Sequence, residues 1–482
     1  MAENLFELAK GYERVSPIPK LDIDELQEVE CIKPVGDDTQ LIFYCEPINR
    51  YRGVCPKCEE SNNHYANGYA KDRTVHDISR GLVSIVMKVK VPRYRCNECG
   101  KSFSYPFKSI MPGQQFTRRL YDQLKIRVLK EPFTVVADEY GISDTKAADI
   151  LLEYSRELFK DRKVIAPMVL GIDEKHIVKE KRGVLVDIQT GMPLEMTPDN
   201  SMGTIQAAVE ALENYNKNVK VVTIDMWNPY VSVVQECMPY AVIVIDKFHV
   251  IANAYRKIGR TKSKLYALLK KEVSEIEDYD ERERKQALLT RMGKNVFLFK
   301  FGRKRLREEE EHGSLMSELC LEFPEINRLR LLKESFEQIY DEGNRKAAEA
   351  RYVEWTKLVP PRSETLYSEI HTLSRTMKNW RKYIFNYFDP GCNYTNATTE
   401  GVNRRIDSIN NEGYGYGFEA LRTKVLFNSF EKLNQKPKKN AKKYNFKPQR
   451  DTDRVRFAVG SSLPPSVPDE PVKYNSGGGI TQ

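Results

Sequence analysis

The sequence lacks the features that would place the protein in a membrane or outside the cell. None of the apolar runs in its 482 residues approaches the roughly 18 residues of a membrane span. The N-terminus, Met1-Ala-Glu-Asn-Leu-Phe, has neither the basic segment nor the apolar stretch of a secretory signal. We therefore expect a soluble protein of the cytoplasm, with enough length for two to four domains.

Cysteine is also scarce. The nine cysteines are too few and too clustered for a disulfide scaffold, and their odd number argues against complete pairing. Acidic residues are outnumbered, since 77 Lys and Arg face 68 Asp and Glu and give a formal net charge of +9. This balance favours a polyanionic partner, although many soluble proteins are modestly basic.

Four of the cysteines form two CxxC pairs, Cys55 with Cys58 and Cys96 with Cys99. Two such knuckles close one tetrahedral zinc site in a zinc ribbon, and a redox CxxC or core cysteines are the alternatives. Two histidines between the pairs, His64 and His76, could substitute for a thiolate. The stretch 82–95 alternates apolar and basic residues, which predicts a strand whose cationic face carries Arg93 and Arg95, or a merely solvated face.

A helical pattern follows residue 113. A short helix ending at Gly141, a tight turn and a second helix beginning near Asp144 together predict a helix-turn-helix. The second helix, which carries Lys146, would then enter a DNA major groove. A plain helical connector is the alternative.

From Val169 onward strands and helices alternate. The predicted order is three neighbouring strands, a helix, a strand, a helix and a last strand ending near Asp246, as in a ribonuclease-H-like mixed sheet. Asp173 and Asp225 each follow an apolar, β-branched run, so we expect them to project from strand ends at one edge of the sheet. In this fold the first and fourth strands are adjacent, and the two acids would meet. Glu400, within Asn396-Ala-Thr-Thr-Glu-Gly-Val-Asn, is the third acid.

The order of these motifs resembles that of the DDE transposases of the ISL3 family of bacterial insertion sequences. The motifs are the two knuckles, the helix-turn-helix, Gly171-Ile-Asp-Glu, Thr223-Ile-Asp-Met, Asp246-Lys-Phe-His-Val, Glu400-Gly-Val-Asn and Tyr414-Gly-Tyr-Gly-Phe. The resemblance implies that Asp173, Asp225 and Glu400 are catalytic and bind two Mg²⁺ or Mn²⁺ ions per active site. It further implies one structural Zn²⁺ on the four cysteines, cleavage at terminal inverted repeats and strand transfer into target DNA.

Further residues are predicted to support this site. Asp246 and His249 match an accessory element, and His249 either holds the local turn or acts directly. Trp227 is either a core residue or a platform for a distorted base. In helical register Glu400, Asn403, Arg404 and Asp407 share one face. Related enzymes often carry a cation seven residues after the glutamate; here that position is Asp407, so Arg404 or Arg405 would take over the DNA contact. Lys247 and Arg256 are additional DNA-binding candidates.

The multidomain α+β organisation is predicted as follows. The parts are an N-terminal zinc-ribbon domain (1–110), a helix-turn-helix domain (111–162), the first part of the catalytic domain (163–250), an all-helical insertion (251–390), a C-terminal catalytic part with Glu400 (391–434) and a basic, disordered tail (435–482). The resemblance implies a nucleoid-associated homodimer or higher oligomer on DNA. The alternative is a catalytically silent or domesticated DNA-binding regulator with the same zinc ribbon and helix-turn-helix.

Overall fold

The structure is a computed structural model that describes residues 11–51, 53–294, 299 and 310–428. The predicted tail lies outside these residues. The described chain divides into two compact units. One comprises the residues up to Lys257 together with those from Thr372 onward, and the other is Ile258–His371.

The first unit begins with two antiparallel-rich sheets. The strands are β1 (Tyr12–Arg14), β2 (Leu26–Pro34), β3 (Gln40–Pro47), β4 (His64–Tyr69), β5 (Arg73–Arg80), β6 (Val83–Val89), β7 (Pro92–Cys96) and β8 (Ser102–Ser104). Five of them form a sheet in the order β1-β2-β3-β6-β5, and the remaining three form a sheet in the order β4-β7-β8. The larger sheet buries a core of its own that includes Phe43, Val75 and Met87.

The sequence interpretation of this region needs two corrections. The single strand predicted over 82–95 is two strands, because the chain leaves the larger sheet after Val89 and enters the smaller one at Pro92. The apolar stretch from Gln40 to Cys45 also predicts one strand that could extend the zinc ribbon; in the structure this stretch belongs to β3, which pairs with β2 and β6 in the larger sheet.

Three helices follow, namely α1 (Arg118–Lys130), α2 (Phe133–Tyr140) and α3 (Asp144–Lys160). As the sequence predicts, α2 ends at Gly141, whose φ of 60° is a left-handed conformation that glycine adopts without steric cost. The Ser143 side chain caps α3 by accepting from the Lys146 amide at 3.1 Å. Buried residues of α1–α3 share one hydrophobic core with Val184, Ile406 and Leu421 from later elements.

A second five-stranded sheet forms the centre of the first unit. Its strands are β9 (Val169–Ile177), β10 (Glu180–Asp187), β11 (Met192–Met196), β12 (Val221–Ile224) and β13 (Val242–Ile245). The order is β11-β10-β9-β12-β13, in which β9, β12 and β13 are parallel and the other pairs are antiparallel. The associated helices are α4 (Met202–Glu210), α5 (Tyr215–Asn218) and α6 (Asn228–Cys237).

One boundary in this sheet differs from the prediction and bears on the site. Asp173 does not end its strand, because β9 continues to Ile177. The extension is one arm of a hairpin in which β10 pairs with every residue of β9 from Leu170 to Ile177. Asp225 and Asp246, in contrast, directly follow the last residues of β12 and β13, as predicted.

Helices make up the rest of the described chain. They are α7 (Lys247–Ser274), α8 (Tyr279–Lys294), α9 (Glu310–Glu322), α10 (Pro324–Ile339), α11 (Arg345–Leu358), α12 (Ser368–Phe385), α13 (Ala397–Glu412) and α14 (Phe418–Phe427). The second unit is helical in its described residues and lies within the predicted insertion range of 251–390. None of the helices in the described part of the chain is both long and apolar enough to cross a membrane.

Candidate active site and metal centres

Asp173 and Asp225 are brought to the same level of the central sheet by strand register. The parallel pairing of β9 with β12 sets Gly171 opposite Thr223, and each acid lies two residues further along its chain. Asp173 is 5% exposed, and burial together with the charge of Asp225 raises its pKa to about 7. The two carboxylates therefore repel one another in a poorly hydrated position.

Asp246 and His249 adjoin this pair. Asp246 is fully buried after β13, and His249 is in the first turn of α7. His249 Nδ1 lies 3.0 Å from Asp246 Oδ2 and 2.9 Å from Asp225 Oδ1. Burial lowers the pKa of His249, but contacts with Asp225 and Asp246 outweigh it and raise the value to about 11. The imidazolium thus balances part of the negative charge.

Glu400 is delivered by α13, in the first turn of that helix. Burial, and then the charge of Asp246, raise the pKa of Glu400, whereas His249 and Arg404 lower it. The helix is anchored to the same acids, since the Asn396 backbone N–H donates to Asp246 Oδ1 at 3.0 Å. The region before α13 is therefore tied to the end of β13.

The acids form one electrostatic site but not one tight cluster. The carboxylates of Asp225 and Asp246 and a ring nitrogen of His249 lie within 4.8 Å of one another, close enough to hold one cation if the imidazole gives up its proton. Asp173 and Glu400 fall outside that group in the described structure. The charges of Asp225 and Asp246 nevertheless raise the pKa values of both Asp173 and Glu400.

Two polar contacts fasten α13 to β9. Asn403 Nδ2 donates to Asp173 Oδ2 at 2.8 Å, and Lys175 Nζ lies 2.5 Å from Asp407 Oδ2. The sequence placed Asn403 and Asp407 on the helix face of Glu400 but gave no indication of their partners on the strand. Gly171 permits this approach, since a Cβ there would lie 2.8 Å from Thr399 Oγ1.

Several buried polar groups near the acids were not predicted. Asn396 is fully buried, and neither its Oδ1 nor its Nδ2 has a hydrogen-bond partner among the described residues. Thr399 Oγ1 and Tyr230 Oη are also buried without a partner in this part of the chain. Burial raises the pKa of Tyr230, as do the nearby charges of Glu174, Asp173 and Asp225. Spacing gave no signal for Tyr230, which reaches the acids through the packing of α6.

The two CxxC pairs converge as the zinc-ribbon prediction requires. The four sulfurs of Cys55, Cys58, Cys96 and Cys99 lie within 4.8 Å of one another, and each sulfur of one knuckle has a neighbour on the other at 3.6 Å. Tetrahedral zinc with bonds of about 2.3 Å needs sulfurs about 3.8 Å apart, so the cluster fits one zinc ion. A disulfide, at about 2.05 Å, is excluded by these distances.

The surroundings of Cys55 favour its thiolate form. Backbone N–H groups of Cys58 and Lys57 lower the pKa of Cys55 to about 6. The two nearby histidines, His64 and His76, lie outside the cluster of four cysteines in the described part of the chain. The His64 ring instead packs 5.3 Å from Tyr51 and 5.2 Å from Tyr94, and His76 packs against Phe116.

The predicted DNA-binding residues occupy different surfaces. Arg93 and Arg95 are exposed and adjacent on one face of β7, where they lie opposite Ser104 and Ser102 of β8. Arg256, Arg404 and Arg405 are exposed on α7 and α13, whereas Lys247 donates to the Tyr387 hydroxyl at 2.9 Å. Trp227 is half-buried, with its ring edge-to-face at 4.6 Å from Tyr230.

Helix α3, the second helix of the predicted helix-turn-helix, has a mixed surface. Lys146 is half-buried in its first turn, and exposed Asp144 and Asp149 stand on the same helix. Two further acids are paired, since Glu153 accepts from the Tyr121 hydroxyl and Glu157 from Lys125. This face of α3 is less cationic than the face of β7.

Comparison with known proteins settles the family. Residues 170–425 match the sequence profile of the ISL3 family of DDE proteins, described as transposase. The match covers just over half of the chain. This chain belongs to the ISL3 transposase family. A search of curated proteins found no match.

Membership of the ISL3 family confirms the predicted resemblance and makes the chain a transposase, an enzyme class that cuts and transfers DNA. The matched segment begins in β9 and ends in α14, so it contains all the acids described above. The zinc-ribbon cysteines and the helix-turn-helix precede it.

Proposed function

We propose that this transposase binds the terminal inverted repeats of its insertion sequence and catalyses divalent-metal-dependent cleavage and strand transfer. Asp173, Asp225 and Glu400 would be its metal ligands, in a ribonuclease-H-like domain. The strand order β11-β10-β9-β12-β13, with only β9, β12 and β13 parallel, supports this fold. The helical unit 258–371 would be an insertion between β13 and α13.

The observation that carries the proposal is the register of β9 and β12. Two carboxylates from strands that are separated in sequence share one edge of the sheet, and α13 brings a third toward them. Buried like charges are unfavourable unless they are neutralised, so the arrangement favours a bound cation. Asp225 Oδ1 is buried, and its close neighbour is His249 Nδ1 at 2.9 Å, so a bound cation would act together with the imidazole on this carboxylate.

The donor set fits magnesium or manganese. Carboxylate oxygens are the ligands that these hard cations prefer, and two ions per site are proposed. When bound, such ions lower the pKa of an attacking water and stabilise the leaving oxygen of a phosphodiester. Asp173, Asp225 and Glu400 would hold these ions.

The remaining groups would position these ligands. Asp246 accepts from the Asn396 backbone and from His249, so it holds the start of α13 and the start of α7. His249 in turn contacts Asp225 at 2.9 Å and limits the rotation of that carboxylate. We propose Asp246 and His249 as accessory residues, and Trp227 as a packing residue because its ring lies against Tyr230.

DNA would be held chiefly by phosphate contacts. The side chains of Arg93 and Arg95 have no hydrogen-bond or ion-pair partner among the described residues, and the two arginines lie opposite Ser104 and Ser102 in the small sheet. Arginines and hydroxyls are common phosphate ligands, so we propose this face as the main backbone contact. The other candidates are Lys146, Lys247, Arg256, Arg404 and Arg405. Pairing of two transposon ends would involve a homodimer or higher oligomer, in the cytoplasm and on the nucleoid.

Strand transfer by the full-length, zinc-loaded protein tests the proposal. The substrate is a labelled duplex from each end of the DNA that encloses the reading frame, with a supercoiled plasmid as target. We expect nicking at one defined position and joined products with Mg²⁺ or Mn²⁺, and none with Ca²⁺ or after Asp173→Asn, Asp225→Asn or Glu400→Gln. Asp187→Asn is the control, because that acid accepts from Gln189 and Thr190 in the β10–β11 turn.

A silent or domesticated regulator makes the opposite prediction. It would bind the end duplex in a shift assay yet leave the DNA intact in Mg²⁺ and Mn²⁺. The same three substitutions would then have no effect on any DNA product. That pattern would overturn the catalytic proposal while preserving DNA binding.

A further inference from the structure

We infer that Asn403 is a positioning residue that fixes Asp173 for metal binding. The inference rests on the proposed function, because it concerns the same acids. Asn403 follows Glu400 by three residues, so it lies one helical turn further along α13. One helix would therefore supply both a ligand and the group that orients the ligand on the strand.

The contact itself is well formed. Asn403 Nδ2 donates to Asp173 Oδ2 at 2.8 Å, and the backbone N–H of Glu174 donates to Asp173 Oδ1 at 2.8 Å. Each oxygen of the carboxylate thus accepts one hydrogen bond and retains a lone pair for a cation. The carboxylate plane is fixed by two donors from different elements.

The amide of Asn403 suits this position better than a carboxylate or a cationic side chain would. A carboxylate could not donate to Asp173 and would add charge to a site that already holds several acids. A cation such as lysine would compete with a metal ion for Asp173. The neutral amide donates a hydrogen bond without adding negative charge or competing with the metal ion. Groups that orient metal ligands commonly act in this way.

The surrounding packing makes the contact specific. One turn beyond Asn403, Asp407 pairs with Lys175 of β9 at 2.5 Å, so two polar contacts run side by side between the helix and the strand. Gly171 lets Thr399 approach the same strand. Asn403 Oδ1 is buried without a hydrogen-bond partner among the described residues, so nothing there pulls the amide away from Asp173.

Manganese binding separates positioning from general stability. Mn²⁺ is titrated into the full-length, zinc-loaded protein and followed by electron paramagnetic resonance, for the wild type, Asn403→Ala, Asn403→Leu and Asn411→Ala. Leucine keeps the branching and the number of side-chain heavy atoms of asparagine but cannot donate a hydrogen bond, so a cavity in the alanine variant does not decide the outcome. Asn411 is exposed on the same helix and provides the matched control.

We expect the apparent dissociation constant for Mn²⁺ to rise about 10- to 100-fold in both Asn403 variants and to stay unchanged in Asn411→Ala. Strand transfer should fall more in Mg²⁺ than in Mn²⁺, because Mg²⁺ demands stricter ligand geometry. Wild-type Mn²⁺ binding by both Asn403 variants would overturn the inference alone. If the wild type binds no more Mn²⁺ than Asp173→Asn, the proposed metal site fails and the inference falls with it.

Discussion

Lys175 and Asp407 form an ion pair at 2.5 Å between the strand that carries Asp173 and the helix that carries Glu400. Lys175 lies two residues beyond Asp173, on the same face of β9, and Asp407 lies seven beyond Glu400. Related enzymes often carry a cation at the position of Asp407, and Arg404 or Arg405 is its predicted substitute in this chain. The structure places a cation beside that position, but β9 supplies it.

This pair should contribute a small, measurable coupling energy. Its side chains are 19% and 46% exposed, so solvent screens the attraction. We expect Lys175→Ala and Asp407→Ala each to lower the free energy of unfolding by about 0.5–1 kcal/mol, with the double variant losing less than the sum. Urea denaturation of all four proteins measures this, and strictly additive losses would show that the pair is not coupled.

The sequence could predict the helix face but not its partner. Helical periodicity placed Glu400, Asn403 and Asp407 together, because residues three or four apart share a face. Lys175 and Asp407 are 232 positions apart, and Asn403 and Asp173 are 230 apart. Contacts of that range depend on how α13 packs on the sheet, which a single sequence does not encode in any local pattern.

The ionisation of Asp173 should make stability depend on pH. Its pKa is about 7 in the fold because of burial and Asp225, against about 3.9 in an unfolded chain. Between these values the folded state keeps a proton that the unfolded state has released, so stability falls as the pH rises from about 4 to about 7. Asp173→Asn removes this loss of stability, because asparagine does not titrate. The difference in melting temperature, variant minus wild type, should therefore become more positive as the pH rises over the same interval.

Calorimetry without added divalent cation, at pH values from 5 to 8, checks this sign. Adding Mg²⁺ at pH 8 should raise the melting temperature of the wild type but not that of Asp173→Asn. A difference between the two proteins that is constant with pH would show that burial does not hold the proton on Asp173.

The cysteine cluster predicts one zinc ion per chain. Cys96→Ser should release it, because three sulfurs and a serine make a much weaker site, and structural zinc commonly supplies much of the folding energy of small modules. Zinc released by a denaturant and measured with a colorimetric chelator gives the stoichiometry. Cys320→Ser is the control, since Cys320 lies on α9 and outside the cluster. A full zinc complement in Cys96→Ser would exclude this residue as a ligand.

The arginines of β7 predict the salt dependence of DNA binding. Each phosphate contact that is lost should reduce the slope of log K against log salt by about 0.9. The double variant Arg93→Ala with Arg95→Ala should therefore lose about 2 from the slope, measured by fluorescence anisotropy between about 50 and 200 mM salt. Arg156→Ala, an exposed arginine on α3, should leave the slope unchanged. An unchanged slope in the β7 double variant together with a reduced slope in Arg156→Ala would place the DNA interface on α3 instead of β7.

The order of elements could be read from the sequence more reliably than their limits. Apolar, β-branched runs identified β9, β12 and β13, since buried parallel strands need apolar residues on both faces. The same rule wrongly predicted that the first strand ends at Asp173, because the rest of β9 carries polar residues such as Lys175 and His176. The five-stranded N-terminal sheet was missed, as its strands alternate weakly and pair across the zinc-binding segment.

Gly171 should be intolerant of even one methyl group, because it lies where α13 meets β9. A Cβ there would lie 2.5 Å from Ile188 Cδ1 and 2.8 Å from Thr399 Oγ1, closer than real contacts allow. Ile188 is buried and Thr399 is in the turn that carries Glu400, so the clash is relieved by a shift of these side chains or of the helix that carries Glu400. Gly171→Ala should lower the free energy of unfolding by about 1–3 kcal/mol and reduce strand transfer further than this instability explains.

Gly203→Ala in α4 is the matched control, since nothing lies within 4 Å of its Cβ position and alanine favours a helix by up to about 1 kcal/mol. Urea denaturation and strand transfer on the end duplex measure both effects. Full activity in a destabilised Gly171→Ala protein would show that the distance between α13 and β9 does not limit the reaction.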